Sequence, residues 1–313
     1  MDSGSNTTEQ RNPNTKEIDK ASTLDMMRML NDEDKLVPKA IESELSNIAR
    51  AVDIISDAMC KGGRLVYLGA GTSGRIGVLD ASEVCSAFGI EEGRILAFVA
   101  GGHEALTRSL SGAQDDKAMG VEELKAIGFS RQDVIIGISS SGSTPYVTGA
   151  LEYAKRLGSP AISLTSTMES ESSQIADVII STVVGPEAIA GSTRLKSASA
   201  HKMVLNMIST GVMIKLGKVF ENLMIEVKPA NYKLTRRRTR IVCEACGIDE
   251  VRAESLINEA EGDTKLAIIM GLTAYNAEEA RSLLRIHNYD LRKALEDTTF
   301  LSEKKNRHKP IFE

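Results

Sequence analysis

Five short apolar runs, each followed by residues at helical spacing, are the feature that most restricts how this chain can fold. The runs are rich in Val, Ile and Leu, which is typical of strands buried on both faces. They lie at 65–68, 95–100, 133–138, 160–165 and 178–182. Strands that alternate with helices form right-handed βαβ units. The sequence therefore predicts an α/β fold with a five-stranded parallel sheet sandwiched by helices.

Two of these runs end in loops rich in glycine and hydroxyl side chains. Amide groups at a helix N-terminus and nearby hydroxyls suit phosphate or carboxylate oxygens. One glycine turn alone also fits a plain strand-to-helix connection. Two such loops at the carboxyl ends of parallel strands fit the position where open α/β sheets bind ligands, so we expect one of them to hold a phosphate. The candidate ligands are Gly71, Thr72, Ser73, Ser139, Ser141, Ser143 and Thr144.

A third polar segment, residues 191–196, precedes a helix with an apolar stripe. The helix dipole does not favour cations at the start of a helix. An anionic ligand at this position would explain why the cations are there. Ser192 and Lys196 are therefore added to the candidate binding residues. The basic run at 236–240 has no interleaved aromatic side chains, which favours a solvated hinge over a nucleic-acid surface.

Composition and charge exclude several classes of protein. The chain has 313 residues, 42% of them hydrophobic, which is enough for one large or two modest domains. A net charge of −5 argues against a general nucleic-acid or anionic-membrane surface. No apolar run approaches the ~20 residues of a membrane span, and the polar start does not resemble a signal peptide. Cys243 and Cys246 have no second pair, which disfavours a zinc or redox site.

The chain divides into segments of different composition. An acidic stretch at 31–34 predicts a break between helices. The last part contains several short helical patterns separated by glycine and Asn-Asp turns, which predicts a small all-helical module. The predicted segments are a mobile leader at 1–16, a helical segment at 17–60, a sheet domain at 61–228, a helical module at 236–298 and a mobile tail at 299–313.

The serine-rich loop resembles the phosphate loop of the sugar isomerase (SIS) domain, Ser-x-Ser-Gly-x-Thr. Further segments, spread in order over about residues 10 to 298, resemble N-acetylmuramic acid 6-phosphate etherases. They lie at 22–24, 31–34, 68–77, 80–83, 100–103, 144–146, 185–187, 191–196 and 205–207. The resemblance implies that 61–228 is an SIS sugar-phosphate-binding domain.

The same resemblance implies an activity. Such an enzyme is a cytoplasmic homodimer, without metal or organic cofactor, that acts in cell-wall sugar recycling. It cleaves the D-lactyl ether of N-acetylmuramic acid 6-phosphate to N-acetylglucosamine 6-phosphate and D-lactate. Opening of the sugar exposes an aldehyde that acidifies the C2 proton, so lactate is eliminated and water is added. The resemblance assigns the ether oxygen and the water to Glu83 as proton donor and acceptor.

This chain departs from the family at the second acidic residue, where it has Gln114. An amide does not accept a proton as a carboxylate does. Asp115, Asp116 or Glu104 can be considered as the base that removes the C2 proton. Alternatively, the chain binds a sugar phosphate without turning it over, as a regulator related to glucokinase regulatory proteins does. An aldose–ketose isomerase is a third interpretation, since it needs a base near the same loop.

The spacing between Glu83 and the first loop also matters. If 74–83 is one helix with ~1.5 Å rise per residue, Glu83 lies ~14 Å from the loop that opens it. We therefore predict a site near the subunit interface of a homodimer, with Glu83 directed at a phosphate held by the serine loop of a neighbouring surface.

Overall fold

The computed structural model describes residues 7–226 and 232–297. A parallel sheet lies in the first two thirds of the chain and a group of helices in the last third. The helices are α1 (Thr23–Asp34), α2 (Val37–Glu42), α3 (Leu45–Cys60), α4 (Gly71–Ala87), α5 (Lys117–Ala126), α6 (Pro145–Arg156), α7 (Glu171–Ile175), α8 (Lys196–Lys215), α9 (Tyr232–Cys246), α10 (Glu250–Glu259), α11 (Thr264–Leu272), α12 (Ala277–Ile286) and α13 (Leu291–Glu296). The strands are β1 (Leu65–Gly69), β2 (Ile95–Val99), β3 (Val134–Ile138), β4 (Ala161–Thr165), β5 (Val178–Ser181), β6 (Val219–Phe220) and β7 (Leu223–Met224).

The prediction of a five-stranded parallel sheet is confirmed. The strand order is β2-β1-β3-β4-β5, and every neighbouring pair is parallel. The order reverses between β1 and β3, because β2 lies on one side of β1 and β3 on the other. Ligands of open α/β sheets bind at such a reversal, outside the carboxyl ends of the strands. The two predicted loops follow β1 and β3 and therefore flank this position.

Helices cover both faces of the sheet. On one face, Val66, Leu68 and Ile135 pack in a cluster with side chains of α5 and α6. On the other face, Tyr67 donates a 2.9 Å hydrogen bond to Asp80 of α4, which is buried. Asn206 and Ser209 of α8 donate to the same carboxylate at 2.7 and 3.1 Å. This carboxylate joins one strand and two helices, and so fixes how α4 and α8 lie against β1.

The chain separates into two compact units. The first takes Met1–Ser86 and Ile90–Val212, and the second takes Ala87–Gly89 and Met213–Glu313. The second unit has its own core, which is formed by buried side chains of α9 to α13 together with Phe220 and Ile225. It also contains the antiparallel pair β6 and β7, which the sequence analysis did not predict. The predicted segment boundaries remain predictions.

The N-terminal part differs from the expected mobile leader. Residues 7–16 contain two short 3-10 helices, Thr7–Glu9 and Pro13–Thr15, and the side chains of Thr8, Asn12 and Thr15 are buried. Thr15 donates a 2.6 Å hydrogen bond to the carbonyl oxygen of Ala188. These contacts are polar and long-range, so hydrophobic periodicity gives no sign of them. Residues 1–6 and the predicted tail from 299 onward lie outside the described residues.

The acidic stretch at 31–34 forms the last turn of α1, the break between helices follows directly at 35–36, and Glu33 is buried. The rest of the predicted helical segment is divided into α2 and α3. The sequence analysis did not predict that Glu33 is buried, because its partners lie in distant parts of the chain.

Candidate functional site

The loop after β1 brings the N-terminus of α4 to the end of the sheet. Gly71 opens the helix with a φ of 53°, a value that favours glycine. Gly74 lies so close to the preceding strand that a Cβ there would be 2.4 Å from the Gly69 carbonyl oxygen. This close turn exposes the first residues of α4, where the positive end of the helix dipole favours an anion.

The loop after β3 is held by its own hydroxyl groups. The Oγ of Ser139 lies 2.8 Å from Oγ1 of Thr144 and 3.4 Å from Oγ of Ser141. The amide of Gly142 donates to the same Ser139 Oγ at 3.0 Å, and its φ is 66°. The loop leads directly into α6, so a second helix N-terminus lies at this edge of the sheet.

One cavity of about 290 Å³ lies between these loops. It is close to the small end of the about 300–1,000 Å³ typical of ligand sites, which suits a compact ligand. The lining contains many hydroxyl groups and, among the described residues, no Lys or Arg. The lining residues are Glu9, Ala70, Gly71, Thr72, Ser73, Gln114, Ile138, Ser139, Ser140, Ser141, Thr144, Thr193 and Ala198.

Most of the predicted binding residues line this cavity. Both predicted loops contribute to one lining, as the reversal of strand order requires. Ser143 does not line the cavity; it is exposed, and its Oγ donates a 3.1 Å hydrogen bond to Ser141. A cavity lined by hydroxyl groups and two helix N-termini has the chemistry to bind a phosphate without a cation.

Ser192 and Lys196 belong to a different environment. Neither lines the cavity, although their neighbour Thr193 does. Lys196 is buried with 1% of its side chain exposed, and its Nζ lies 2.5 Å from Oε2 of Glu33. Its backbone amide donates to Glu187, which is itself buried and caps the start of α8. The expectation that Lys196 binds an external anion is therefore corrected, because Glu33 already neutralises its charge.

Glu33 has further partners in this cluster. The side-chain amides of Asn12 and Asn14 donate to its two oxygens at 2.7 and 2.9 Å. Burial raises the pKa of Glu33, but the hydrogen bonds from Lys196, Asn14 and Asn12 outweigh this and lower the pKa below its ordinary value. We name Asn12, Asn14, Glu33 and Lys196 the ionic cluster.

Gln114 lies at the cavity, and the acidic residues considered as its substitutes do not. Gln114 is in a 3-10 helix, Ala113–Asp115, and lines the cavity. Asp116 caps α5 by accepting hydrogen bonds from the amides of Ala118 and Met119. Glu104 pairs with Arg108 at 3.1 Å on an exposed surface. Neither these two nor Asp115 is among the cavity residues.

The carboxylate that does line the cavity is Glu9, which the sequence analysis placed in a mobile leader. Thr193 and Ser140, which lie within the predicted segments 191–196 and 139–144, line the cavity as well. The sequence carries no signal for Glu9, because the burial of its polar neighbours Thr8 and Asn12 is seen only in the structure. A polar segment gives no periodic pattern, so only its tertiary contacts show where it lies.

Glu83 is exposed on α4, twelve residues after the helix begins at Gly71. At ~1.5 Å per residue it lies ~18 Å along the helix from that end. It is not among the cavity residues. Residues 74–83 do belong to one helix, as our prediction about Glu83 assumed. The exposed position of Glu83 is compatible with contact to a second molecule.

His201 lies behind the serine loop. Its Nε2 is 3.1 Å from Oγ of Ser166, whose amide donates to the Ser140 carbonyl oxygen at 3.0 Å. Burial lowers the pKa of His201 to about 4, so its neutral form is present at neutral pH. It is a structural residue of the wall behind the cavity rather than a lining residue.

Within 7–226 and 232–297, no group of three or more His, Cys, Asp and Glu side chains is arranged to hold a metal ion. Over the same residues, no helix combines the length and apolar character that crossing a membrane requires. Burial raises the pKa of Cys246 to about 11, which keeps this thiol protonated at neutral pH.

Comparisons with known proteins extend these observations. Residues 47–155 match the model of the glucokinase regulatory protein N-terminal SIS domain, and residues 125–210 match the SIS domain. The chain is 50% identical over 295 residues to the N-acetylmuramic acid 6-phosphate etherase of Yersinia pestis (strain Pestoides F), covering 94% of this chain and 100% of that protein. The etherase of Yersinia pseudotuberculosis serotype O:1b (strain IP 31758) gives the same identity and coverage.

A solved structure is similar in fold alone. It is a protein of Bacteroides fragilis NCTC 9343 named as a phosphosugar isomerase involved in capsule formation. The TM-score is 0.50 at 19% identity, and the match covers 64% of this chain and 95% of that one. The partial coverage of this chain agrees with a sheet domain that carries additional segments.

Proposed function

We propose, from the premise that this chain belongs to the N-acetylmuramic acid 6-phosphate etherase family, that it is a carbon–oxygen lyase with that activity. The reaction converts N-acetylmuramic acid 6-phosphate and water into N-acetylglucosamine 6-phosphate and D-lactate. The observation that carries the proposal is the 50% identity to an etherase over that relative's whole length. Identity of this extent includes the helical segments outside the SIS domain, whereas a generic phosphosugar protein would share the sheet domain alone.

The cavity supports a phosphosugar as the substrate. Its hydroxyl groups from Thr72, Ser73, Ser139, Ser141 and Thr144 supply donors for phosphate oxygens. The N-termini of α4 and α6 add the positive ends of two helix dipoles. We assign the phosphate to this end of the cavity, with the sugar ring directed away from the loops.

The chemistry requires one proton transfer at C2 and a second pair of transfers at the ether oxygen and the water. The C2 proton must be removed while the sugar is open and its C1 is an aldehyde. The ether oxygen must gain a proton as it leaves C3, and a water molecule must then lose one. The family assigns the second pair of transfers to Glu83, which is exposed on α4 here. A positioned general acid or base contributes about 10²–10⁴-fold to such a step.

We propose that Glu83 acts in a homodimer. Exposed apolar side chains lie on its own helix face at Leu79 and on α8 at Met203 and Met207. Asp80 joins these two helices through Asn206, so the exposed side chains belong to adjacent elements. Exposed apolar side chains on both helices are what an interface with a second copy would cover. A second copy of this chain on that surface would bring Glu83 to a site near the subunit interface.

The family also suggests the setting of the reaction. A phosphorylated cell-wall sugar implies amino sugar catabolism and peptidoglycan recycling in the cytoplasm. These assignments rest on the family and on the chemistry of the substrate.

A second candidate function is a regulator that binds a phosphosugar without turnover. Two observations favour it: Gln114 replaces the second acidic residue of the family, and residues 47–155 match the regulatory-protein SIS model. The identity over the whole chain and the retained Glu83 favour the enzyme.

The deciding experiment measures D-lactate release from N-acetylmuramic acid 6-phosphate by the purified full-length protein. We expect release by the native chain and loss of about 10²–10⁴-fold in Glu83→Gln. Gln114→Glu tests the family position directly. Release that appears only in Gln114→Glu, with saturable phosphosugar binding by the native chain, would instead establish the regulator.

A further inference from the structure

We infer that Glu9 is the base that removes the C2 proton in this chain. The inference rests on the proposed etherase function and deepens it, since it supplies the base that Gln114 cannot be. Glu9 is the acidic side chain in the cavity lining, within the described part of the chain, and Gln114 lines the same cavity. Position 114, where the family has a carboxylate, and the Glu9 carboxylate of this chain therefore line the same cavity.

The other acidic residues near Gln114 are engaged elsewhere or lie outside the cavity. The Asp116 carboxylate accepts from the amides of Ala118 and Met119 and so caps α5. Glu104 forms an exposed ion pair with Arg108. Asp115 is exposed and does not line the cavity.

The backbone on both sides of Glu9 is anchored. Thr8 is fully buried, and its carbonyl oxygen accepts a 3.0 Å hydrogen bond from the amide of Gly191. Asn12 is buried in the ionic cluster, where it donates to Glu33 and to the carbonyl oxygen of Pro186. Two attachments four residues apart hold the intervening chain against the 186–193 segment.

The Glu9 carboxylate also lies beside the 191–193 segment. A Cβ built on Gly191 would be 2.7 Å from its Oε2, which shows how near the carboxylate is to that backbone. Thr193, two residues further, lines the cavity beside it.

Charge decides which part of a ligand Glu9 faces. A phosphate and a carboxylate repel each other, so a phosphate is favoured away from Glu9, although the exposure of Glu9 to solvent moderates this repulsion. With the phosphate on the hydroxyl loops, the carboxylate is directed to the sugar. This matches the requirement for a base at C2 and not a phosphate ligand.

The proposed steps balance. A Glu9 oxygen takes the C2 proton, and the C–H electron pair forms the C1–C2 double bond while the aldehyde π pair moves to the C1 oxygen. Those electrons return to re-form the aldehyde, a C2–C3 double bond forms, and the C3–O bond breaks. The lactyl oxygen leaves with that pair and is protonated by Glu83. Water then loses a proton to Glu83 and adds to C3, and Glu9 returns its proton to C2.

The test is deuterium incorporation at C2 in D₂O, measured by NMR with the full-length protein. N-acetylglucosamine 6-phosphate is the probe, because its exchange needs no lactate to leave. We expect Glu9→Gln to lower the exchange rate by about 10²–10⁴-fold. Glu83→Gln should keep the exchange and lose D-lactate release. Glu17→Gln, an exposed glutamate of the same N-terminal segment, is the matched control and should exchange at the native rate.

A second variant separates catalysis from folding. Adding Gln114→Glu to Glu9→Gln restores a carboxylate to the same cavity, and we expect exchange to recover at least tenfold. Binding of the probe by Glu9→Gln should stay within about threefold of native, since the hydroxyl loops are intact.

The outcomes distinguish this inference from the proposed function. Native exchange and lactate release that both persist in Glu9→Gln would overturn the inference and leave the etherase standing. Glu9-dependent exchange without lactate release would support the inference and overturn the etherase. Absence of both activities in the native chain would overturn both.

Discussion

The cavity between the loops after β1 and β3, here called the hydroxyl cavity, and the ionic cluster are formed in part by residues close in sequence, at 9 and 12 and at 193 and 196. The two regions differ in how their polar groups are paired. In the cavity, uncharged hydroxyls surround about 290 Å³ of space, with one carboxylate in the lining. In the ionic cluster, Lys196 and Glu33 are buried against each other and Asn12 and Asn14 complete the carboxylate's hydrogen bonds. Charged groups that pair internally hold the chain together, and hydroxyls around open space remain for a ligand.

The connection between the two regions is short. Thr193 lines the cavity, and Lys196 begins α8 three residues later. Asn12 belongs to the ionic cluster, and Glu9 lines the cavity three residues earlier. The ionic cluster therefore positions the two segments that close this side of the cavity. Substitutions in the two regions should therefore separate the structural contribution of the ionic cluster from ligand binding by the cavity.

Lys196→Met should produce the largest loss of stability. It removes one partner of a buried ion pair and leaves the Glu33 carboxylate buried without its cation. Such a change costs about 3–5 kcal/mol in the free energy of unfolding. Urea unfolding of the full-length protein measures it.

Lys125→Met is the matched control, because Lys125 pairs with Glu122 while half or more of each side chain is exposed. It should change the free energy of unfolding by less than about 1 kcal/mol. Equal losses in the two variants would contradict the structural role of the ionic cluster.

Lowering the pH should weaken the wall behind the cavity through His201. Its pKa is lowered to about 4 in the folded protein against an ordinary value of 6.5. Between these values the unfolded chain binds a proton that the native chain does not, so this contribution is complete above pH 6.5 and is lost as the pH falls to 4. Its full size is about 3 kcal/mol at ~1.4 kcal/mol per pKa unit.

Unfolding curves at several pH values test this dependence. His201→Gln should flatten it, and the exposed His103→Gln should retain it. A pH dependence unchanged in His201→Gln would show that another group is responsible.

Gly142→Ala should distort the serine loop by a smaller amount. The residue has a φ of 66°, and a Cβ would lie 2.3 Å from the Ser170 hydroxyl. We expect a loss of about 1–3 kcal/mol in stability, together with weaker phosphate binding.

Gly62→Ala is its control, because φ is 91° there and a Cβ would meet nothing within 4 Å. It should show only the backbone cost of about 1–2 kcal/mol and leave phosphate binding unchanged. Equal effects of the two variants on phosphate binding would contradict the prediction that the conformation of the serine loop is needed to bind phosphate.

The sheet and its ligand edge could be predicted because their signals are local. The run at 134–138 is apolar throughout since β3 is buried on both faces, and its serine loop follows at once. The two loops could be placed together because parallel strands end at the same edge. These inferences need only the chain order of strands and helices.

The remaining features depend on contacts that are distant in sequence. Lys196 suggested an external anion because its partner Glu33 lies 163 residues away. Glu9 was read as part of a mobile leader because its anchors are a buried threonine and a backbone bond to Gly191. Polar long-range pairing has no periodicity, so the sequence alone could not reveal either one.

The most direct test of the central claim, that the hydroxyl cavity binds the phosphate, is calorimetric titration of N-acetylglucosamine 6-phosphate into two matched serine variants. Ser141 lines the cavity and Ser192 does not. A hydrogen bond to a charged group contributes about 1.5–3 kcal/mol, so Ser141→Ala should weaken the Kd by about tenfold or more and Ser192→Ala should leave it unchanged. Loss of affinity in Ser192→Ala with native affinity in Ser141→Ala would contradict the claim and place the phosphate at the start of α8.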